Sequence, residues 1–95
     1  MKLSESHLIQ LSAVVDAGSV GKGAAALGLS QPALSRSLAQ LEARVGKSLF
    51  IRDRRPLQAT PLGVQLAAHG RRILIESRRA TEAVQSLLRG TRGLV

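Results

Sequence analysis

The sequence contains no cysteine, tryptophan or tyrosine, and Phe50 is its single aromatic residue. Without cysteine there is neither a disulfide framework of the kind that small secreted domains use nor a thiolate for catalysis. His7 and His69 lie in separate segments, and the six acidic residues fall into no metal-loop spacing. The sequence therefore predicts a chain that is not an enzyme and that holds no metal or other cofactor.

Long apolar runs and a secretory signal are also missing. Although 44% of the residues are hydrophobic, no run approaches the roughly 18 residues that a transmembrane helix needs. Residues 1–4 lack the basic, apolar and small-residue regions of a signal peptide. These absences predict a cytoplasmic protein with no membrane partner, and a chain of this length predicts one small domain with an appendage.

Acidic residues are scarce relative to basic ones. Lys and Arg total 14 against 6 Asp and Glu, which gives a formal net charge of +8. The two signs balance over residues 1–27, so the excess lies in the last two thirds of the chain. A net positive charge of this size attracts a polyanion, and nucleic acid is the leading candidate for the partner.

Three helices are predicted in the first half, each with a serine at its start and a glycine after its end. They cover residues 4–17, 20–27 and 30–45. The first has a core stripe at helical spacing, formed by Leu8, Leu11 and Val15, and the third has a longer one, formed by Leu34, Leu38, Leu41 and Val45. Gly21 and Gly23 weaken the second helix by about 1 kcal/mol each relative to Ala, so tertiary packing must compensate. A helix, a short glycine-containing turn and a second helix over about residues 20–45 are typical of a helix-turn-helix.

A small β-structure and a long helix are predicted next. Two β-prone runs, residues 49–52 and 57–60, flank a charged turn that ends in Pro56, which indicates a two-stranded wing over about residues 49–60. Thr60 and Pro61 are a capping pair for a final helix, predicted to end near Arg89 because Gly90 follows. The fold class is thus mainly α: a winged helix-turn-helix over residues 1–60, a long linker helix over 61–90, and a hinge or tail over 91–95.

The exposed side of the third helix mixes small residues with hydrogen-bonding ones, which suits the base edges of a major groove. We predict base contacts by Gln31, Pro32, Ala33, Ser35, Arg36 and Gln40. Contacts with the DNA backbone are predicted for Lys22, Ser30 and the wing residues Arg52, Arg54 and Arg55. Taken alone, such residues equally suit a solvated helix face or a solvated turn. Their combination with a basic chain and a helix-turn-helix favours double-stranded DNA as the partner.

The last helix carries a seam with a seven-residue period. One line of it is Leu66, Ile73, Ala80 and Leu87, and a second line of smaller residues is Gly70, Ser77 and Val84. The arginine pairs at 71–72 and 78–79 are predicted to face water or DNA. Packing of the seam on the chain's own core is the alternative, which suits the first turns but not a projecting end. We therefore predict a homodimer formed through this helix.

Several stretches of the sequence resemble a known family. They are Ala24-Ala25 with Leu27, the run from Leu29 to Arg36, Leu38 with Gln40-Leu41-Glu42, Leu49-Phe50, and Thr60-Pro61-Leu62-Gly63. Over about residues 3–90 the chain resembles the N-terminal DNA-binding domain of LysR-type transcriptional regulators. The resemblance implies a linker helix that pairs antiparallel in a dimer, and an operator that is an interrupted palindrome with T and A at its ends. By position it assigns groove contacts to Gln31, Pro32, Ser35 and Arg36, and a wing contact to residues 52–55.

The resemblance also implies features beyond this chain. Full-length members of the family carry a C-terminal sensing domain like a periplasmic binding protein, and none of it precedes Val95, so the chain is expected to bind operators without sensing an inducer. A full-length protein on the nucleoid would also be able to form tetramers and to contact RNA polymerase. The sequence departs from the family by lacking aromatic residues near Leu11 and Val20 and a Thr or Ser near Gly21. A looser second helix and one missing phosphate contact are expected from these departures.

Two alternatives stay open at this stage. One is the related LysR-like N-terminal domain of molybdate-responsive regulators, which only the remainder of the gene would distinguish. The other is an interaction protein whose basic long helix docks on an acidic partner, which predicts no binding to duplex DNA at physiological salt.

Overall fold

The structure is a computed structural model that describes residues 1–94, with side chains as far as Gly90. The elements, in chain order, are α1 (Glu5–Ala17), α2 (Val20–Leu27), α3 (Gln31–Val45), β1 (Phe50–Ile51), β2 (Gln58–Ala59) and α4 (Pro61–Leu94). The two strands are antiparallel, with Phe50 opposite Ala59. The predicted fold class, a mainly helical winged helix-turn-helix followed by a long helix, is confirmed.

The ends of the first three helices are set by local capping. Ser4, Ser19 and Ser30 each accept a hydrogen bond from the backbone N–H three residues later, at 3.3, 3.1 and 3.2 Å. Each helix then ends at a glycine in the left-handed region, where residues with a Cβ are strained. These glycines are Gly18, Gly28 and Gly46, with φ of 78°, 69° and 78°. The predicted boundaries of α1, α2 and α3 are confirmed.

The core lies where α1, α2 and α3 meet the first turns of α4. Its buried hydrophobic residues are Leu8, Leu11, Val14, Ala24, Leu34, Leu38, Leu41, Leu49 and Ala67. The leucine stripe of α3 is as predicted, and Val45 packs against it partly buried. In α1 the fully buried valine is Val14, whereas the predicted Val15 is only partly buried. Because α1 contacts the three other helices, its buried arc is wider than the single stripe that helical spacing indicates.

Gly23 explains why α2 is stable despite its glycines. A Cβ at Gly23 would lie 2.8 Å from Val14 Cγ2 and 3.1 Å from Val14 Cα, so only glycine allows α2 to approach α1 this closely. Gly21 is exposed, and a Cβ there would meet only the side chain of Gln31, at 3.4 Å. The packing of Gly23 against Val14 is thus the tertiary contact that compensates for the weak helix propensity of α2.

The first turns of α4 are fixed to α1 by a close backbone approach and an ion pair. Gly70 is buried against the carbonyl oxygen of Leu8, which a Cβ at this position would overlap. At the next residue of α4, Arg71 Nη2 lies 2.6 Å from Asp16 Oδ1 and Arg71 Nε lies 3.2 Å from Asp16 Oδ2. Hydrogen bonding to this carboxylate, and then its charge, raises the pKa of Arg71 above its ordinary value. The two helices are therefore held in one relative orientation.

The helix α4 is longer than predicted. It continues through Gly90 to Leu94, so the predicted end at Gly90 is wrong. One glycine costs a helix about 1 kcal/mol, which helix-forming neighbours on both sides can offset. The predicted hinge or tail over residues 91–95 thus has helical backbone over 91–94, and Val95 lies outside the described residues. Residues 75–90 are all exposed, so the second half of α4 projects from the body.

None of the helices within residues 1–94 combines the length and the apolar character that crossing a bilayer requires.

Two glycines of α4 test the contact with α1. Gly70→Ala is expected to lower the free energy of unfolding by about 1–3 kcal/mol, because the added methyl group meets a backbone oxygen that cannot rotate away. Gly90→Ala is the control, since a Cβ there has nothing within 4 Å, and it should leave stability unchanged or raise it by up to about 1 kcal/mol. Urea denaturation at one fixed protein concentration measures both. Equal effects of the two substitutions would contradict the assigned contact.

Candidate nucleic-acid interface

The side of α3 opposite its leucine stripe is open to solvent. Its exposed residues are Gln31, Pro32, Ser35, Arg36, Ala39, Gln40 and Ala43. Of the six predicted base-contacting residues, only Ala33 is half-buried rather than exposed. Ser30 is exposed as well, and its hydroxyl oxygen caps the helix by accepting from Ala33 N at 3.2 Å. Within residues 1–94, no other element covers this face, which leaves it free to lie against a partner.

The wing has shorter strands than predicted and a correspondingly longer tip. Each strand has two residues where four were predicted, and the tip between them is exposed from Arg52 to Pro56. Asp53 has a φ of 61°, a left-handed conformation that Asp tolerates better than most residues. Leu57 N donates to the carbonyl oxygen of Gly18 at 3.0 Å. This bond places the wing beside the α1–α2 connector rather than free in solution.

A basic cleft of about 580 Å³ lies between the start of α2, the start of α3 and the wing. We call it the wing cleft. It is lined by residues 18–22, Gln31 and residues 53–57. Three of the predicted backbone contacts, Lys22, Arg54 and Arg55, therefore converge beside Gln31, whereas Arg52 is not among its lining residues. Positive side chains beside the N-terminal amides of α2 and α3 favour a phosphate group at this position.

Glu42 is a structural residue of the site to which sequence reasoning assigned no role. Its Oε2 accepts hydrogen bonds from Leu49 N at 2.7 Å and from Ser48 Oγ at 3.4 Å. Thr60 Oγ1 donates to Ser48 O at 2.9 Å and accepts from Gly63 N at 3.1 Å. The end of α3, the base of the wing and the start of α4 are thus joined by one network. The feature of the sequence that could have indicated this role is the position of Glu42, an acidic residue next to the leucine stripe of α3 and seven residues before Leu49.

The predicted seam of α4 divides into two parts. Leu66 and Ile73 pack against the chain's own core, and Gly70 is buried against Leu8. The assignment of Gly70 to a partner interface is therefore wrong, because α1 of the same chain occupies its surface. The remaining seam residues, Ser77, Ala80, Val84 and Leu87, are exposed.

The arginine pairs of α4 also differ in their environments. Arg71 was predicted to face water or DNA; its side chain is 43% exposed, and its guanidinium is bound to Asp16 through two hydrogen bonds. Arg72 is exposed and donates to His69 Nδ1 at 3.1 Å. Arg79 lies 3.6 Å from Glu76 in an exposed pair of little energetic weight. Two of these arginines, Arg71 and Arg79, are thus paired with carboxylates of this chain.

Comparison with known proteins identifies the family. Residues 6–64 match the family model described as bacterial regulatory helix-turn-helix protein, lysR family. The chain belongs to this LysR family. Among its curated relatives is the small neutral protease regulatory protein of Streptomyces coelicolor, which is 40% identical over 76 residues, or 80% of this chain and 23% of that protein. The chain spans about a quarter of the length of the curated relatives that it matches.

Solved structures of the LysR family share the fold. The crystal structure of the BenM DNA-binding domain with catB site 1 DNA has a TM-score of 0.78 and 30% identity, and the match covers 93% of this chain and 95% of that one. Full-length LysG from Corynebacterium glutamicum has a TM-score of 0.79 and 26% identity, with 92% of this chain and 30% of that one covered. The chain therefore has the fold of the DNA-binding domains of LysR-family proteins. Its relatives are regulators rather than enzymes, in agreement with the sequence prediction.

Substitutions at Glu42 test the network at the base of the wing. Glu42→Ala is expected to lower the free energy of unfolding by about 1–3 kcal/mol, because it leaves the N–H of buried Leu49 without an acceptor. Glu42→Gln keeps an acceptor oxygen and should lose less than half as much. Thermal and urea unfolding followed by circular dichroism measure the two losses. Identical losses would show that the acceptor at Leu49 N is not the source of the stabilisation.

Proposed function

We propose that this chain binds operator DNA with sequence specificity, as a homodimer on an interrupted palindrome, in the bacterial cytoplasm. The observation that carries the proposal is the exposed face of α3, which is open along its whole length and continues into the basic wing cleft. The similarity to a DNA-binding domain solved with DNA supports it.

In the proposed complex α3 lies in the major groove, and the side chains of α3 and of the wing make different kinds of contact with DNA. Arg36 and Gln40 reach base edges, where arginine can bond guanine through two hydrogen bonds and glutamine can do so with adenine. Pro32, Ala33 and Ser35 are small enough to let the start of the helix approach the bases. Lys22 and the wing arginines contact phosphates instead, which fixes the position of the domain without reading sequence.

The proposed dimer uses the far half of the α4 seam. Because α1 already covers the near half, the second protomer would contact Ser77, Ala80, Val84 and Leu87, beyond the body of the domain. Val84 and Leu87 are 57% and 71% exposed, and burying such side chains is the driving force for association. Two paired copies would then place their α3 helices in successive major grooves, roughly 34 Å apart.

For a whole regulator the proposal includes parts that this chain does not contain. Its curated relatives are several times longer, so an effector-sensing domain after α4, assembly into a tetramer and contact with RNA polymerase are assigned to the longer protein.

Two arginine substitutions test whether α3 contacts bases and the wing contacts phosphates. Arg36→Ala should weaken binding to the operator by roughly 1–3 kcal/mol and reduce discrimination against a scrambled duplex. Arg54→Ala should weaken binding to both duplexes alike and reduce the dependence of log K on log salt by about 0.9 per protomer. Fluorescence anisotropy on a site selected from bound genomic fragments measures both effects.

The outcomes separate the proposal from its alternatives. Equal losses on both duplexes for the two variants would refute the assigned roles. No binding of the unsubstituted chain to any duplex at physiological salt would favour an interaction protein with an acidic partner.

A charge placed in the α4 seam tests the dimer. Val84→Glu is expected to raise the dimer dissociation constant at least tenfold, because a carboxylate would be buried between two apolar surfaces. Ser86→Glu adds the same charge on the other side of the helix and should leave the constant within about twofold. Sedimentation equilibrium across protein concentrations gives both constants. An equal change in the dissociation constant for the two variants would show that the interface lies elsewhere.

A further inference from the structure

A second basic cleft lies at the other end of α3 from the wing cleft. It has a volume of about 490 Å³, and we call it the N-terminal cleft. Its lining residues are Lys2, Ser4, His7, Gln40, Leu41, Ala43 and Arg44. Neither Glu5 nor Glu42 is among them, and the Glu42 carboxylate is bound to Leu49 N. The charged side chains of this cleft are therefore of one sign.

A long-range hydrogen bond builds this cleft. Arg44 Nε donates to the carbonyl oxygen of Lys2 at 3.1 Å, which holds the segment before α1 against the last turn of α3. The bond engages Nε alone, so the terminal Nη groups of Arg44 can donate to another acceptor. Both Lys2 and Arg44 are exposed. Lys2 and Arg44, which are 42 residues apart in sequence, thus both line this cleft.

The electrostatics favour a phosphate group there. The C-terminal end of the α3 dipole carries roughly half a negative charge, which would repel a phosphate. This repulsion is opposed by two full positive charges and by the positive end of α1, whose cap Ser4 and first-turn residue His7 line the cleft. The sum of these charges around the N-terminal cleft is therefore positive.

The N-terminal cleft is continuous with the face proposed to contact bases. Gln40 and Ala43 belong both to that exposed face and to the lining of the cleft. The wing cleft touches α3 at Gln31, so along the helix axis the two clefts are about 14–20 Å apart at 1.5 Å per residue. The major groove is about 12 Å wide. A helix that crosses the groove obliquely would therefore bring one cleft to each of the two phosphate strands that border it.

We propose that the N-terminal cleft is a second phosphate clamp, in which Lys2 and Arg44 bind the DNA strand opposite the one bound by the wing. This inference rests on the proposed operator binding and adds a pair of contacts that sequence reasoning did not assign. The clamp contributes affinity without reading bases, because phosphates are the same at every step. It also fixes the tilt of α3, since the helix is then held at both ends.

The test compares two substitutions that each remove one positive charge. Lys2→Gln is expected to lower the salt dependence of log K by about 0.9 per protomer and to weaken binding about fivefold per protomer at 0.15 M salt. The ratio of operator to scrambled affinity should stay unchanged. Arg79→Gln is the control on the projecting part of α4, outside both clefts, and should leave the slope unaltered. Arg44→Gln should reproduce Lys2→Gln, with circular dichroism as the check on folding.

Phosphate ethylation of the operator locates the contact directly. The unsubstituted chain should show interference at phosphates on both strands that border each recognition groove, and Lys2→Gln should lose the signal on one strand only. An unchanged slope and footprint for Lys2→Gln would overturn the clamp while leaving operator binding intact. The same slope change in Arg79→Gln would show a general charge effect and would also overturn it. Absence of operator binding by the unsubstituted chain would instead refute the proposed function.

Discussion

The backbone approach of α1 and α4 at Gly70 holds the two functional parts of the molecule in one geometry. On one side is the body that carries α3, and on the other is the half of α4 that projects. Since the contact joins the α4 backbone to the Leu8 carbonyl, no rotamer change can loosen it, and packed interiors deform little. The two-bond pair between Asp16 and Arg71, the residue after Gly70, adds a directional constraint about two turns further along α1. Any movement of the projecting helix is therefore transmitted to the body.

The exposed face of α3 and the wing are held in place by polar contacts as well as by the core. Glu42 and Thr60 connect the end of α3 to the wing and to the start of α4. Arg44 connects the same end of α3 to the N-terminal segment. The wing strands have only two residues each, too few to be stable alone, so these bonds and the core contact of Leu49 determine where the wing arginines lie.

Local signals in the sequence predicted the fold well, because serine caps, terminal glycines and leucine spacing act over a few residues. The exposed face of α3 followed from the same periodicity. What the sequence did not reveal depends on contacts between distant segments. The burial of Gly70 requires knowing that α1 crosses α4 at that turn, and the Arg44–Lys2 bond joins residues 42 apart. The continuation of α4 through Gly90 reflects a local cost too small to stop a helix.

The division of α4 sets the energetics of the proposed dimer. The first turns pack on the core, so among the side chains described as far as Gly90 the stretch over residues 75–90 is exposed throughout, roughly 22 Å of helix. An interface of that length buries less surface than stable dimers usually do, which predicts weak association of free chains. An operator with two half-sites would hold both protomers close together and raise their effective concentration. Because binding energies are linked, dimerisation and DNA recognition would then reinforce each other, with the rigid α1–α4 junction transmitting the spacing of the half-sites to the helix pair.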